Sequence, residues 1–303
     1  MGVVPGLIEV ASNAVLDMLV RDAAAPEGPE RDGWGANVQL LPRPVEVALG
    51  GCGAAAAYVL GRLGHQVRLN ANLGEDSWGG LLRGWLEGAG VGLRSATFSD
   101  TAVHLIQLSP EGKRRSYYYT GEKVVWGDSL EGQTPAWFLA AGYGKVEAVD
   151  VEELGRVFAL LRRRGTKVMF DPSPWFKGRV EAPAMLGLWS EVDCLVATEE
   201  ELQVWRPAAE IRSLTGQLLD LGPSQVVVKR GKEGAVCADK DGVAALSTTP
   251  VEGANTVGAG DTFNGRLLSG LCRGEGLEEA VGAALALATR AVARGRGVLG
   301  AFD

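Results

Sequence analysis

Histidine and cysteine are scarce in this chain of 303 residues, and their scarcity excludes several chemistries at once. The two histidines are His65 and His104, so any Ser-His-Asp arrangement would have to use one of them. Cys52, Cys194, Cys237 and Cys272 are the four cysteines; no Cys-x-x-Cys occurs and no His pair has zinc spacing. Positive charge is also short: the net charge of −7 argues against a nucleic-acid partner, because such binding rests on neutralising phosphates. There is no 18-residue apolar run and no charged-then-apolar leader, so nothing marks the chain for a membrane or for export. The cysteines then read as reduced thiols of a cytoplasmic protein with a small-molecule ligand. What is present in excess is glycine, 43 residues, about twice ordinary usage.

Apolar runs without alternation recur at Gln66–Leu69, Lys167–Phe170, Cys194–Val196 and Gln225–Val228. Such runs suit strands covered on both faces, as in a parallel sheet between helices. Leu154, Val157, Phe158 and Leu161 share one face of a predicted helix. So do Leu277, Val281, Ala284, Leu285, Ala288 and Val292. Alternating strand and helix from about residue 66 onward indicates an α/β fold of βαβ units. Residues 14–48 and 93–120 break the rhythm, with runs at Ala14–Val20, Val38–Leu41, Val45–Ala48, Ala102–Leu108 and Arg114–Thr120. Ser109-Pro110-Glu111-Gly112 has the residues a type I turn favours. Both stretches read as antiparallel strands that pair into one small sheet, a lid inserted into a single domain spanning 1–303.

The densest glycine signal is Asn255-Thr256-Val257-Gly258-Ala259-Gly260-Asp261-Thr262-Phe263-Asn264-Gly265. Phe263, Leu267, Leu268 and Leu271 follow on one helical face, so Gly258–Gly260 form the turn that opens a helix. The first N–H groups of a helix have no internal partner, and glycine lets an anion come close to them. A carboxylate at Asp261 would repel that anion unless it had work such as accepting a proton. By itself, Gly-x-Gly-Asp is also an ordinary glycine turn with an acidic helix start.

The whole segment resembles the C-terminal signature of the ribokinase-like, or PfkB, family of small-molecule kinases, Asp-Thr-x-Gly-Ala-Gly-Asp-x-Phe-x-x-Gly. Three further motifs follow the family's order. Gly50-Gly51-Cys52-Gly53 leads an Ala-rich helix to Leu63-Gly64, Gly74-Glu75-Asp76-Ser77-Trp78-Gly79 matches Gly-x-Asp-x-x-Gly, and Gly231-Lys232-Glu233-Gly234 matches the turn on the nucleotide side. The resemblance implies a ribokinase-like three-layer α/β/α sandwich with a small β-sheet lid, and phosphoryl transfer from ATP to an alcohol. It makes Asp261 the general base and Gly258, Ala259 and Gly260 the anion hole. Lys229, Gly231 and Gly234 fall to the nucleotide, although Lys229 also reads as an exposed strand end. Asp17, Gly50, Gly51 and Asp171 fall to the substrate. Trp34, Asn37 and Tyr117–Tyr119 lie in the lid stretches. Mg2+ is implied between the phosphates, with Glu200 reaching it through water, and a dimer through the lid.

Three positions depart from the family's pattern. Ala55 and Ala197 stand where asparagine is common, and Asn255 replaces the usual Asp beside a monovalent-cation site, which would weaken any K+ dependence. Two alternatives to a sugar kinase stay open: a nucleoside kinase of the same family, and a regulatory member with little turnover. A dinucleotide enzyme is set aside because the Gly-x-Gly-x-x-Gly at Gly295–Gly300 follows a helix and opens no βαβ unit. No Gly-x-x-x-x-Gly-Lys-Ser/Thr occurs either.

Overall fold

A computed structural model describes residues 3–22, 40–94, 100–110, 113–142, 147–173, 179–205, 210–251 and 256–303. Its main sheet contains β1 (Val3–Ala11), β4 (Gln66–Asn70), β5 (Val91–Leu93), β8 (Thr134–Ala141), β9 (Lys167–Asp171), β10 (Cys194–Thr198), β11 (Gln225–Lys229), β12 (Ala235–Asp239) and β13 (Gly242–Leu246). The spatial order is β13-β12-β11-β10-β9-β8-β1-β4-β5. From β11 to β5 every pairing is parallel, and β12 and β13 close one edge antiparallel.

Helices cover both faces, which is why the central strands are apolar throughout. Leu60, Leu267 and Val281, from α1 (Cys52–Arg62), α7 (Ala259–Arg273) and α8 (Leu277–Arg294), pack with Leu69, Met169 and Val227 on one face, beside α2 (Ser77–Gly88). On the other, α3 (Ala148–Arg163), α4 (Ala182–Trp189), α5 (Glu199–Trp205) and α6 (Ile211–Leu219) cover Phe138, Phe170, Leu195 and Val226. Phe158 of α3 meets Phe138 and Phe170 edge to face, at 6.0 and 5.5 Å between ring centroids. The faces expected on α3 and α8 are the packed ones, and along α8 the seam opens outward at Ala288 and Val292. The result is the three-layer sandwich expected from the sequence.

The lid is a four-stranded sheet in the order β3 (Glu46–Gly50), β2 (Val15–Arg21), β6 (Ala102–Leu108), β7 (Arg114–Tyr119). Antiparallel pairing holds within each stretch, but β2 and β6, which join them, run parallel. The reason lies in the connections. β2 follows β1 and β6 follows β5, and since the strands of that half of the main sheet are parallel, both lid strands leave from the same C-terminal end of the sheet. Leu40 and Leu41 lie outside any strand and are exposed; Val38 and Gln39 fall outside the described residues, as do Glu111 and Gly112 of the expected turn.

α1 and α7 pack side by side because Gly265 has no side chain: a Cβ there would come within 2.7 Å of Val59. Their N-termini therefore converge at the mouth between lid and sheet.

Candidate active site

A cleft of about 700 Å3 opens between the lid and the C-terminal ends of the parallel strands, where open α/β sheets place their ligands. Asp261 enters it from the first turn of α7, and Cys52 from the start of α1. Burial pushes the Asp261 carboxyl up to about 6; a hydrogen bond from the Cys52 thiol and the charge of Lys229 pull it down, while Asp171 and Asp17 push it up. Burial, with the neighbouring Asp261 and Asp171, likewise raises the Cys52 thiol, which stays a donor. Gly258 caps α7 at φ +78, and a Cβ on it would lie 2.9 Å from the Val298 amide nitrogen. Backbone conformation and space both require glycine there. The Ala259 N–H is committed to the Thr256 carbonyl at 3.1 Å, so the expected trio of anion donors loses its middle member. A Cβ on Gly260 would meet only the Lys229 Nζ, at 3.9 Å, so an approaching anion has both the backbone and an ammonium to face.

Lys229 ends β11 and is not the exposed strand end its position allowed. Its Nζ donates to Asp171 Oδ2 at 2.8 Å and lies 3.4 Å from Asn264 Oδ1. Burial works against its charge, but Asp171 and Glu201 outweigh that and raise its pKa. Asp171, at the end of β9, also accepts from Asn264 Nδ2 at 2.7 Å and from the Ser173 N–H at 3.2 Å. The Asp171 carboxylate, expected on the substrate side, lines the cleft and takes three protein donors, which makes it an anchor for Lys229. Asn264, one turn beyond Asp261, completes the buried network.

Asp17 faces the cleft from β2, nearly buried, with Oδ1 3.2 Å from His104 Nδ1 on β6. Gly50 makes room for it, since a Cβ at that position would overlap the Asp17 carboxylate. Asn13 ties the lid down: its Nδ2 donates to Tyr118 Oη at 2.9 Å, and its Oδ1 accepts the Cys52 N–H at 3.0 Å, beside Gly51.

A profile of the pfkB family carbohydrate kinases matches residues 11–298. The chain belongs to that family. With membership comes the activity class, an ATP-dependent carbohydrate kinase. The ribokinase of Bacillus subtilis (strain 168) is 26% identical over 294 residues, covering 93% of this chain and 90% of that protein. Among solved structures, Arabidopsis thaliana ribokinase complexed with ribose and ATP gives a TM-score of 0.77 at 21% identity, covering 99% of this chain and 96% of that one. A putative ribokinase II from E. coli in complex with ATP and Mg2+ gives 0.77 at 18%, covering 97% and 95%. At these identities the two structures establish the shared fold.

The remaining pfkB-motif positions divide sharply. Gly231 and Gly234 line the cleft at φ +56 and +94, around a short turn after β11. Glu200 does not line it. Glu200 is exposed on α5, and its neighbour Glu201 is the buried carboxylate that faces the cleft, its pKa raised by burial and by Asp171. Glu201 Oε2 accepts the Thr198 N–H at 2.8 Å, and its own N–H goes to Thr198 Oγ1 at 3.2 Å. That reciprocal capping box fixes the carboxylate, and the pattern Thr198-x-x-Glu201 is its signal in the sequence. Asn255, Trp34 and Asn37 lie outside the described residues. Of the three lid tyrosines only Tyr118 lines the cleft, and Tyr117 and Tyr119 are exposed. Ala55 and Ala197 are fully buried packing residues.

Proposed function

We propose that this kinase transfers the γ-phosphoryl group of ATP to a hydroxyl of a small sugar, with Asp261 as general base. The observation that carries the reading is the shared cleft: the base, the glycine turn at the start of α7 and the Asp17 carboxylate all open into one space. A carboxylate accepts two hydroxyl hydrogen bonds, which suits a polyol held at Asp17 with the Gly50–Gly51 backbone beside it. The attacking hydroxyl gives its proton to Asp261 as its oxygen bonds to the γ-phosphorus and the bond to ADP breaks. The Gly258 and Gly260 turn, with Lys229 beside it, receives the charge of the transferring group. Gly231 and Gly234 flank the nucleotide on the β11 side.

Among the described residues there is no cluster of three or more acidic, His or Cys side chains that would hold a metal alone. The residues fit Mg2+ held chiefly by the nucleotide, with Glu201 reaching it through water. When bound, the ion neutralises charge on the phosphate oxygens. The neutral Asn255 belongs to a weak K+ requirement. Among the described residues no helix is long and apolar enough to cross a membrane. A cytoplasmic setting suits the free thiols. Dimerisation through the lid suits its two edge strands, β3 and β7, the latter carrying the exposed Tyr117 and Tyr119.

The test is coupled ADP release with Mg·ATP over sugars, sugar acids and nucleosides, against the Asp261→Asn variant. If no acceptor gives ADP above that control, the reading fails. Two narrower outcomes are expected. Glu201→Gln should raise the Mg2+ concentration for half-maximal rate by about 10-fold, as loss of an outer-shell partner does, and Glu200→Gln should leave it in place. Magnesium titrations of rate check both. Gly50→Ala should displace Asp17 and raise the acceptor KM by about 10- to 100-fold, the cost of losing a hydrogen bond to a charged group, with the KM for ATP little affected.

A further inference from the structure

The charges that line the cleft are uneven. Asp17, Asp171, Glu201 and Asp261 stand against Lys229 and Arg114. Lys229 is occupied by Asp171 at 2.8 Å. Arg114 has no carboxylate partner among the described residues; its Nε donates to Ser116 Oγ at 3.1 Å, and its Nη2 lies 3.5 Å from His104 Nε2.

Strand alternation decides where Arg114 points. On β7 it shares a face with Ser116 and Tyr118; Tyr118 pairs with His104 on β6, and His104 pairs with Asp17 on β2. All five line the cleft. The partners assign the tautomer of His104. Nδ1–H donates a hydrogen bond to the Asp17 carboxylate, while the Nε2 lone pair accepts from Arg114, which can only donate. Asp17 and Arg114 therefore stand one imidazole apart on the inner face of the lid. A carboxylate suited to hydroxyls is followed by a guanidinium suited to an anion.

We infer that the acceptor is a sugar acid, whose carboxylate is received by Arg114 while its hydroxyls are held at Asp17. The inference rests on the kinase reading above and narrows its substrate. Arg114 lines the cleft, so a carboxylate bound there gains a charge-assisted hydrogen bond that a neutral sugar does not offer. A carboxylate answers the guanidinium with one negative charge. A phosphate ester carries nearly two, which a single guanidinium cannot balance beside Asp17 and Asp261.

The experiment compares kcat/KM for matched acceptors: D-gluconate against D-glucose, and 2-keto-D-gluconate against D-fructose, with fructose 6-phosphate as the phosphorylated arm. At least one acid is expected to exceed its neutral partner by about 10- to 100-fold, mainly through KM, the range of a charge-assisted hydrogen bond. Arg114→Gln should collapse that ratio through KM, Arg114→Lys should keep part of it, and added salt should weaken it in the parent enzyme. Arg114 is exposed on an edge strand, and far-ultraviolet circular dichroism checks that each variant is folded. The inference is overturned if neutral sugars or fructose 6-phosphate match the acids, or if Arg114→Gln lowers acid and neutral acceptors alike. If no acceptor of the wider panel of sugars, sugar acids and nucleosides releases ADP above Asp261→Asn, the kinase reading itself falls, and this one with it; if only a neutral sugar or nucleoside does, this inference alone is overturned.

Discussion

Asp261→Asn is expected to lower kcat by about 10²- to 10⁴-fold and, in the same protein, to raise the melting temperature. The first effect is the loss of the base, since an amide cannot accept the hydroxyl proton. The second follows from the cost of holding that base in place. Burial lifts the Asp261 carboxyl from its ordinary 3.8 to about 6, so the folded protein holds a proton that the unfolded chain releases. A raised carboxyl contributes its stability fully below pH 4 and loses it as pH rises through 6. At pH 7 the ionised group therefore costs up to about 3 kcal/mol, and on the order of 2 kcal/mol once cleft water screens it. Asparagine escapes that cost, and a domain of this size should gain several degrees. The same pKa sets the acid limb of the parent enzyme: kcat should fall below about pH 6 as the base is protonated. Calorimetry and pH–rate profiles on the two proteins check both effects. A variant retaining a tenth or more of the activity would place the base elsewhere.

The parts legible in the sequence were those fixed by local pattern or by a compact motif. Lys167–Phe170 and Gln225–Val228 read as buried strands because helices cover both faces of β9 and β11, which leaves a continuous apolar run. Gly258–Gly260 read as the opening of a helix because Phe263, Leu267, Leu268 and Leu271 follow on one face, and the left-handed backbone of Gly258 and its contact with Val298 are the physical reason glycine stands there. What stayed hidden depends on chain topology or on distant partners. The parallel β2–β6 pairing is set by how both strands leave the main sheet, which alternation along either strand does not encode. A Lys at a strand end looks solvent-facing until Asp171, 58 residues away, is brought to it. Cys52 carries no local sign of its hydrogen bond to Asp261, because tertiary packing, close at Gly265, is what brings α1 beside α7. Glu201 differs in kind: the local pattern Thr198-x-x-Glu201 itself marks a capping box, and it puts Glu201 on the cleft side of α5 and leaves Glu200 on the exposed side.

Lys229→Met should be the most damaging substitution that leaves the base itself untouched. It strips the buried Asp171 carboxylate of its ammonium, and breaking such a pair from one side costs about 3–5 kcal/mol because an unpaired charge stays behind. It also removes a positive charge that holds the Asp261 carboxyl down, so that group should rise above about 6 and the acid limb of kcat should move to higher pH. The cation beside Gly260 is lost as well, and removing one such stabiliser of a transferring group costs about 10²- to 10³-fold in kcat. These effects come apart in a double-mutant cycle. Lys229→Met with Asp171→Asn deletes both charges, leaves Asn264 with a neutral amide to face, and should recover most of the lost stability by denaturant titration. Activity should not return with it, because no ammonium stands at the anion turn. If the double variant regains both stability and turnover, Lys229 serves only to neutralise Asp171, and the glycine turn works without it.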